Sequence, residues 1–180
     1  MKFLKGCLIT LMIFIGVCVF GYFLFKNNVV DNLEGLRSQV NQEWNKYAES
    51  LKERNAELSL QNFKNDSLKY YWNKAKSISL NECTKELEFN EYKINQFAMA
   101  DSLVSNSDDK VNSSLDKYNQ TVREYNLYRI RFPNSLIAKQ AGFPKNFKYF
   151  DYKYGVDNQK EMIRKEKVKN WIKNGGQYPE

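Results

Sequence analysis

Tyr118-Asn119 and Tyr125-Asn126 repeat at an interval of seven residues. On a helix that interval puts both rings on one face and both amides beside it. Phenol hydroxyls and carboxamides donate and accept hydrogen bonds, but at neutral pH they supply neither a nucleophile nor a base. Two readings follow. The rings fill a helix seam while hydroxyls and amides bond to nearby backbone, or the pairs form a polar recognition surface. The first is preferred, because the same positions complete an apolar stripe. An Asn in such a seam also fixes register.

The other candidates are weaker. The stretch Asn146–Gly155 interleaves Phe147, Tyr149, Phe150, Tyr152 and Tyr154 with Lys148 and Lys153. Such interleaving occurs in single-strand nucleic-acid binders and at membrane interfaces. It also suits an extended segment that laces back over the domain and buries alternate rings, which is the reading taken; no nucleic-acid partner is expected. From Lys160 to Lys173 six basic residues face two acidic ones, and a basic helix carrying Lys165, Lys167, Lys169, Trp171 and Lys173 could lie on anionic lipid. The competing reading is a solvated terminal helix. Glu43, Glu57, Glu86 and Glu91 are scattered on helix faces, Glu43 with Lys46 three residues on, and are read as a solvated surface.

Histidine is absent, which excludes Ser-His-Asp and Cys-His catalysis, imidazole metal sites and a histidine pH switch. Cys7 and Cys18 lie in a hydrophobic stretch, so Cys83 has no disulfide partner in the rest of the chain and reads as a small core residue. No cofactor, metal site or enzymatic activity is expected.

The elements that would position these residues begin with a membrane segment. Nineteen of residues 1–26 are hydrophobic, and the twenty residues Gly6–Phe25 carry no charge. At ~1.5 Å per residue such a helix spans about 30 Å, the hydrocarbon thickness of a bilayer. The run ends in Tyr-Phe-Leu-Phe without a small-residue cleavage site, so an uncleaved anchor is preferred to a signal peptide. Lys2 and Lys5 nearly balance Lys26 and Arg37 across the span, with a lean towards the N-terminus inside and the domain outside.

Between Leu36 and Phe132 there is neither glycine nor proline, which predicts long helices with short polar links. Leu33, Leu36, Val40, Trp44, Tyr47 and Leu51 mark one stripe; Val111, Leu115, Tyr118, Val122 and Tyr125 mark another. Leu68, Tyr71, Trp72, Ala75 and Ile78 form a third, and Leu87, Tyr92, Ile94, Phe97 and Leu103 a less regular fourth. Phe132 is read as a plug for the bundle end. Pro133 stops the helix, Asn134 caps a short one, and Gly142 ends it with a positive φ.

The stretch Leu115–Phe150 resembles the LemA family of membrane-anchored bacterial proteins. The likeness rests on Tyr118, Asn119, Val122, Tyr125, Asn126, Phe132, Pro133, Asn134, Leu136, Ile137, Ala138, Gly142, Phe143 and Phe150. It covers about a third of the chain well and the rest in layout. Where family members carry an Arg-Arg-x-Asp-Leu-Ile-Pro-Asn-Leu-Val segment, this chain reads KERNAELSLQNFK and keeps Arg54 but neither the acidic residue nor the proline.

The resemblance and the periodicity agree on an all-α fold: a transmembrane helix followed by an antiparallel bundle of about four long helices, a short terminal helix and an aromatic C-terminal segment. The expected organisation is residues 1–5 as a short N-terminal segment, 6–26 as anchor, 27–157 as helical domain and 158–180 as basic tail. The expected function is a non-enzymatic scaffold, adaptor or interaction module in the bacterial cell envelope. The alternative is a sensor or regulatory subunit signalling through the membrane helix. The partners expected are the lipid bilayer and a protein of the membrane or envelope, with homo-oligomerisation a further option.

Overall fold

A chain that lacks glycine and proline from residue 36 to 132 must build its turns from other residues. The computed structural model describes residues 2–103, 105–150, 154, 167–168 and 170, with side chains from residue 10 onward. Among them the elements are α1 (Lys2–Ser59), α2 (Asp66–Ala75), α3 (Lys85–Ala100), α4 (Asp108–Ile130) and α5 (Asn134–Gln140), with no strand. The fold is all-helical.

The apolar N-terminal segment and the first amphipathic helix are one element. α1 runs for 58 residues, about 87 Å at ~1.5 Å per residue. Its N-terminal part is long and apolar enough to cross a membrane, and there it is unburied. The expectation of about four long helices after the anchor is corrected: α2 has 10 residues and α3 has 16, so only α1 and α4 are long.

Polar caps do the work of the missing breakers. The Asn65 side chain accepts from Ser67 N and Leu68 N at the start of α2, and Thr84 accepts from Leu87 N at the start of α3. α3 ends in a Schellman turn, Leu103 N donating to Ala98 O and Ser102 N to Met99 O, with Ser102 at φ 59°. α5 ends in the same way, Phe143 N to Ala138 O and Gly142 N to Lys139 O, with Gly142 at φ 76°. Asn134 does not cap α5. Pro133 holds that position, and Asn134 Nδ2 donates to Tyr128 O at 3.2 Å.

The chain divides into two compact units. One comprises Met1–Val40 with Val122–Phe147; the other comprises Asn41–Thr121 and the chain from Lys148 onward. In the first, Val29, Leu33, Val122, Tyr125, Ile137 and Ala138 are buried. In the second, Trp44, Tyr47, Leu51, Val111, Leu115, Tyr118 and Phe150 are buried. A neighbouring cluster there packs α2 on α3 through Leu58, Leu68, Ile94 and Ala98, with Phe63, Tyr71 and Trp72 against it.

Candidate functional site

The most unusual residue of the second unit is Arg54, on α1, which is 1% exposed between the buried Leu51 and Leu58. A guanidinium cannot shed its charge, so its burial requires partners. α3 supplies Glu91 and Asn95, one turn apart. Arg54 Nη1 lies 3.3 Å from Glu91 Oε2, and Nη2 donates to Asn95 Oδ1 at 3.3 Å. The start of α4 supplies Asp108, whose Oδ1 is 3.4 Å from Arg54 Nε. Asn55 Oδ1 accepts from Nη1 at 3.1 Å, and the Tyr154 ring lies 4.8 Å below the guanidinium carbon. The Tyr154 hydroxyl in turn meets that of Tyr47.

One cation therefore faces two carboxylates. Burial pushes Glu91 up to about 7, against the opposing pull of Arg54. Burial also raises Asp108, again opposed by Arg54. Tyr47 is driven well above its ordinary value by burial and by Tyr154. The cluster can thus hold or release a proton near neutrality without any histidine.

This corrects the reading of Glu91 as a solvated surface carboxylate. Glu91 is 1% exposed. The signal for it was present: Leu87, Glu91, Ile94 and Ala98 step by 4, 3 and 4, so Glu91 belongs to the buried stripe of α3, whereas Tyr92 is only half-buried. Glu57 accepts from Ser105 Oγ, Ser107 Oγ and Ser107 N ahead of α4. Those bonds, Ser107's first, hold its carboxyl below the ordinary range.

The Tyr-Asn repeat does something different. In the first unit Asn126 clasps the backbone of Phe147 with both ends of its amide, donating to the carbonyl at 3.0 Å and accepting from the N–H at 2.9 Å. Tyr125 Oη and Arg129 Nε both donate to Pro144 O. In the second unit Asn119 clasps Phe150 in the same way at 2.9 and 3.1 Å, and Tyr118 Oη donates to Lys148 O at 2.8 Å. Asn112, one heptad earlier, clasps Tyr154 at 3.1 and 2.8 Å. Asn112 escaped the sequence reading because Val111, not Tyr, precedes it; the seven-residue interval was the available signal. Val122 is fully buried on the same helix, and burial raises the hydroxyl pKa of both Tyr118 and Tyr125.

The clasped segment buries Phe150 and Tyr154 and half-buries Phe147, while Tyr149 stays 47% exposed. Tyr152 and Lys153 lie outside the described residues. Phe132, expected as a plug, is instead 81% exposed. Pro133 follows it in a cis peptide, Ala138 is buried, and Phe143 is half-buried after Gly142. Lys167 is exposed on helical backbone. Lys165, Lys169, Trp171 and Lys173 lie outside the described residues.

Within the second unit an open groove of about 480 Å³ is lined by Lys52, Asn55, Ala56, Trp72, Ala75, Lys76 and residues 78–81. Trp44 Nε1 donates to Leu80 O and steadies one wall. Among the described residues no group of His, Cys, Asp and Glu is arranged to hold a metal. The chain matches no protein family, no curated protein and no solved structure.

Proposed function

We propose that this chain is a single-pass membrane protein of the LemA type, an antiparallel helical bundle acting as a non-enzymatic scaffold or interaction module in the bacterial envelope. Its domain is placed on the extracytoplasmic side. The observation that carries the reading is α1 itself. An apolar, unburied segment continues without a break into a stripe whose Leu33, Trp44, Tyr47 and Leu51 are buried. A helix apolar all round its N-terminal part calls for lipid, and a helix with one buried stripe calls for a folded partner. The Tyr-Asn clasps support the same reading, since they spend their polar groups on the chain's own backbone.

The test is crosslinking in native membranes followed by identification of captured partners, alongside alkaline carbonate extraction. The expected result is a protein retained in the membrane pellet with a reproducible partner. Release by carbonate would refute the anchor; turnover of a substrate by the purified chain would refute the scaffold.

The uninterrupted helix favours one alternative, a sensor or regulatory subunit that passes a signal through the span. Inserting a flexible Gly-Ser linker between Asn27 and Asn32 should abolish such signalling and leave partner capture intact. If a reporter of the captured partner responds equally with and without the linker, the signalling reading fails.

A further inference from the structure

The LemA-like motif leaves one feature unexplained: its apolar residues are not all inside. Leu127 and Ile130 near the end of α4, Phe132 in the turn and Leu136 on α5 are exposed by 41, 60, 81 and 61%. A turn closing a water-soluble domain would bury or replace such residues.

Three observations say what covers them. The elbow belongs to the same compact unit as the apolar part of α1. Within that unit α5 reaches the apolar segment directly: Tyr22 Oη donates to Gln140 Oε1 at 3.5 Å. Tyr22 lies about 6 Å, at ~1.5 Å per residue, before Lys26, the first charge after the span, which is the level at which tyrosines mark a membrane interface. Finally, no acidic residue occurs between Tyr125 and Phe150, while Arg129, Arg131, Lys139 and Lys145 are basic. Of these, Arg131, Lys139 and Lys145 are exposed. Exposed apolar side chains on a stretch that carries cations and no carboxylate of its own suit an anionic headgroup layer better than another protein surface, with the long basic side chains reaching back to the phosphates.

We propose that the elbow Leu127–Gln140 is seated in the lipid interface beside the exit of α1. The protein would then be held in the membrane by a helix and a wedge, and the domain could not swivel freely on its anchor. This rests on the proposal that α1 spans a bilayer.

The test uses the full-length chain with Cys7→Ala, Cys18→Ala and Cys83→Ala, reconstituted in phosphatidylcholine–phosphatidylglycerol vesicles. Single cysteines introduced as Phe132→Cys, Leu136→Cys, Phe14→Cys and Ser38→Cys carry an environment-sensitive fluorophore, read against lipids with quenchers at shallow and deep positions. Ser38 is an exposed position on α1, beyond Lys26. Labels at 132 and 136 should emit to the blue and be quenched best by the shallow quencher, about 5–10 Å into the headgroup–acyl boundary. The label at 14 should answer to the deep quencher and that at 38 to neither.

If 132 and 136 emit as in water while 14 is quenched, the wedge is refuted and the anchor stands. If 14 is not quenched, the anchor fails and the wedge with it. Blue-shifted labels at 132 and 136 that no lipid quenches would mean that protein, a second copy or a partner, covers the elbow, and would also overturn the proposal.

Discussion

Replacing Arg54 by methionine tests whether the buried cluster is an electrostatic device or ordinary packing. Met keeps the unbranched apolar stem and removes the charged guanidinium; the space that leaves is a packing cost that does not vary with pH. It leaves Glu91, itself 1% exposed, without the guanidinium 3.3 Å away, and Asp108 without the one at 3.4 Å. Removing one partner of a buried pair costs about 3–5 kcal/mol when the other must stay ionised. Here the other need not. Glu91 already sits at about 7 rather than 4.5 because of burial, and each unit is worth about 1.4 kcal/mol. Ionising it inside the folded protein thus costs about 3 kcal/mol even with Arg54 present.

The pH dependence follows from that direction. Below pH 4.5 both folded and unfolded chains hold the proton. Between 4.5 and about 7 the unfolded chain releases it first, so this group's contribution to stability falls as pH rises. Without Arg54 the folded value moves higher still, because the one opposing charge is gone. Arg54→Met should therefore lose more near pH 8 than near pH 5, with Glu91's share of the difference limited by protonation to about 1.4 kcal/mol at pH 8. Glu91→Gln should flatten the profile between those values and lose nothing near pH 8, and the double variant should recover the pH-dependent part of the single variant's loss. Urea unfolding of the full chain in detergent, followed by helix signal in circular dichroism, measures all four corners. A loss equal at the two pH values, or a double variant no better than Arg54→Met, would refute the reasoning.

Asn119→Ala should cost about 1–3 kcal/mol, because the N–H and the carbonyl of Phe150 each lose a partner. Asn119→Asp, which can still accept but sets a carboxylate oxygen against that carbonyl, should do no better; protease cleavage after Lys148 reports release of the segment. Cys83, raised from 9.0 to about 11 mainly by burial, should react with iodoacetamide at pH 8 about 100-fold more slowly than an ordinary thiol, as measured by mass spectrometry. Gly142→Ala should cost about 1–2 kcal/mol, since its φ is 76° although open space surrounds it. Gly35→Ala, equally open but helical, should instead stabilise by about 0.5–1 kcal/mol in the same denaturation assay.

The helices were legible where periodicity and composition agree. Leu33, Val40, Trp44, Tyr47 and Leu51 are buried at the steps the sequence marks, and so are Val111, Leu115, Tyr118, Val122 and Tyr125. Three kinds of feature were not. Helix ends without glycine, such as the turn at Ser102, leave little composition to read, which is why α2 and α3 looked longer than they are. Burial of a charge also depends on what a distant element brings. Glu91 is a carboxylate between Asn90 and Tyr92 with Lys93 two residues on, which says nothing of burial, and Arg54, 37 positions away, makes that burial tolerable. The exposed Phe132 is a third case, because a pattern shows that a residue is apolar but not which solvent it meets.

The clasps show how helix side chains can hold an extended segment without a neighbouring strand. Seven residues of helix rise about 10.5 Å, and three residues of extended chain advance about 10 Å. Asn119 and Asn126, seven apart, accordingly meet Phe150 and Phe147, three apart and in reverse order. Each amide presents one donor and one acceptor, as a neighbouring strand would, and satisfies one backbone N–H and one carbonyl. Tyrosine at the preceding position adds a hydroxyl to a carbonyl two or three residues before the clasped one, Lys148 for Tyr118 and Pro144 for Tyr125. A slip of one residue would break each clasp and expose Phe150, so the register is specified by polar groups and by the ring buried between them. Histidine could not replace Asn in this role, because a neutral imidazole that donates through one nitrogen and accepts through the other points them in divergent directions, whereas the carboxamide sets both side by side.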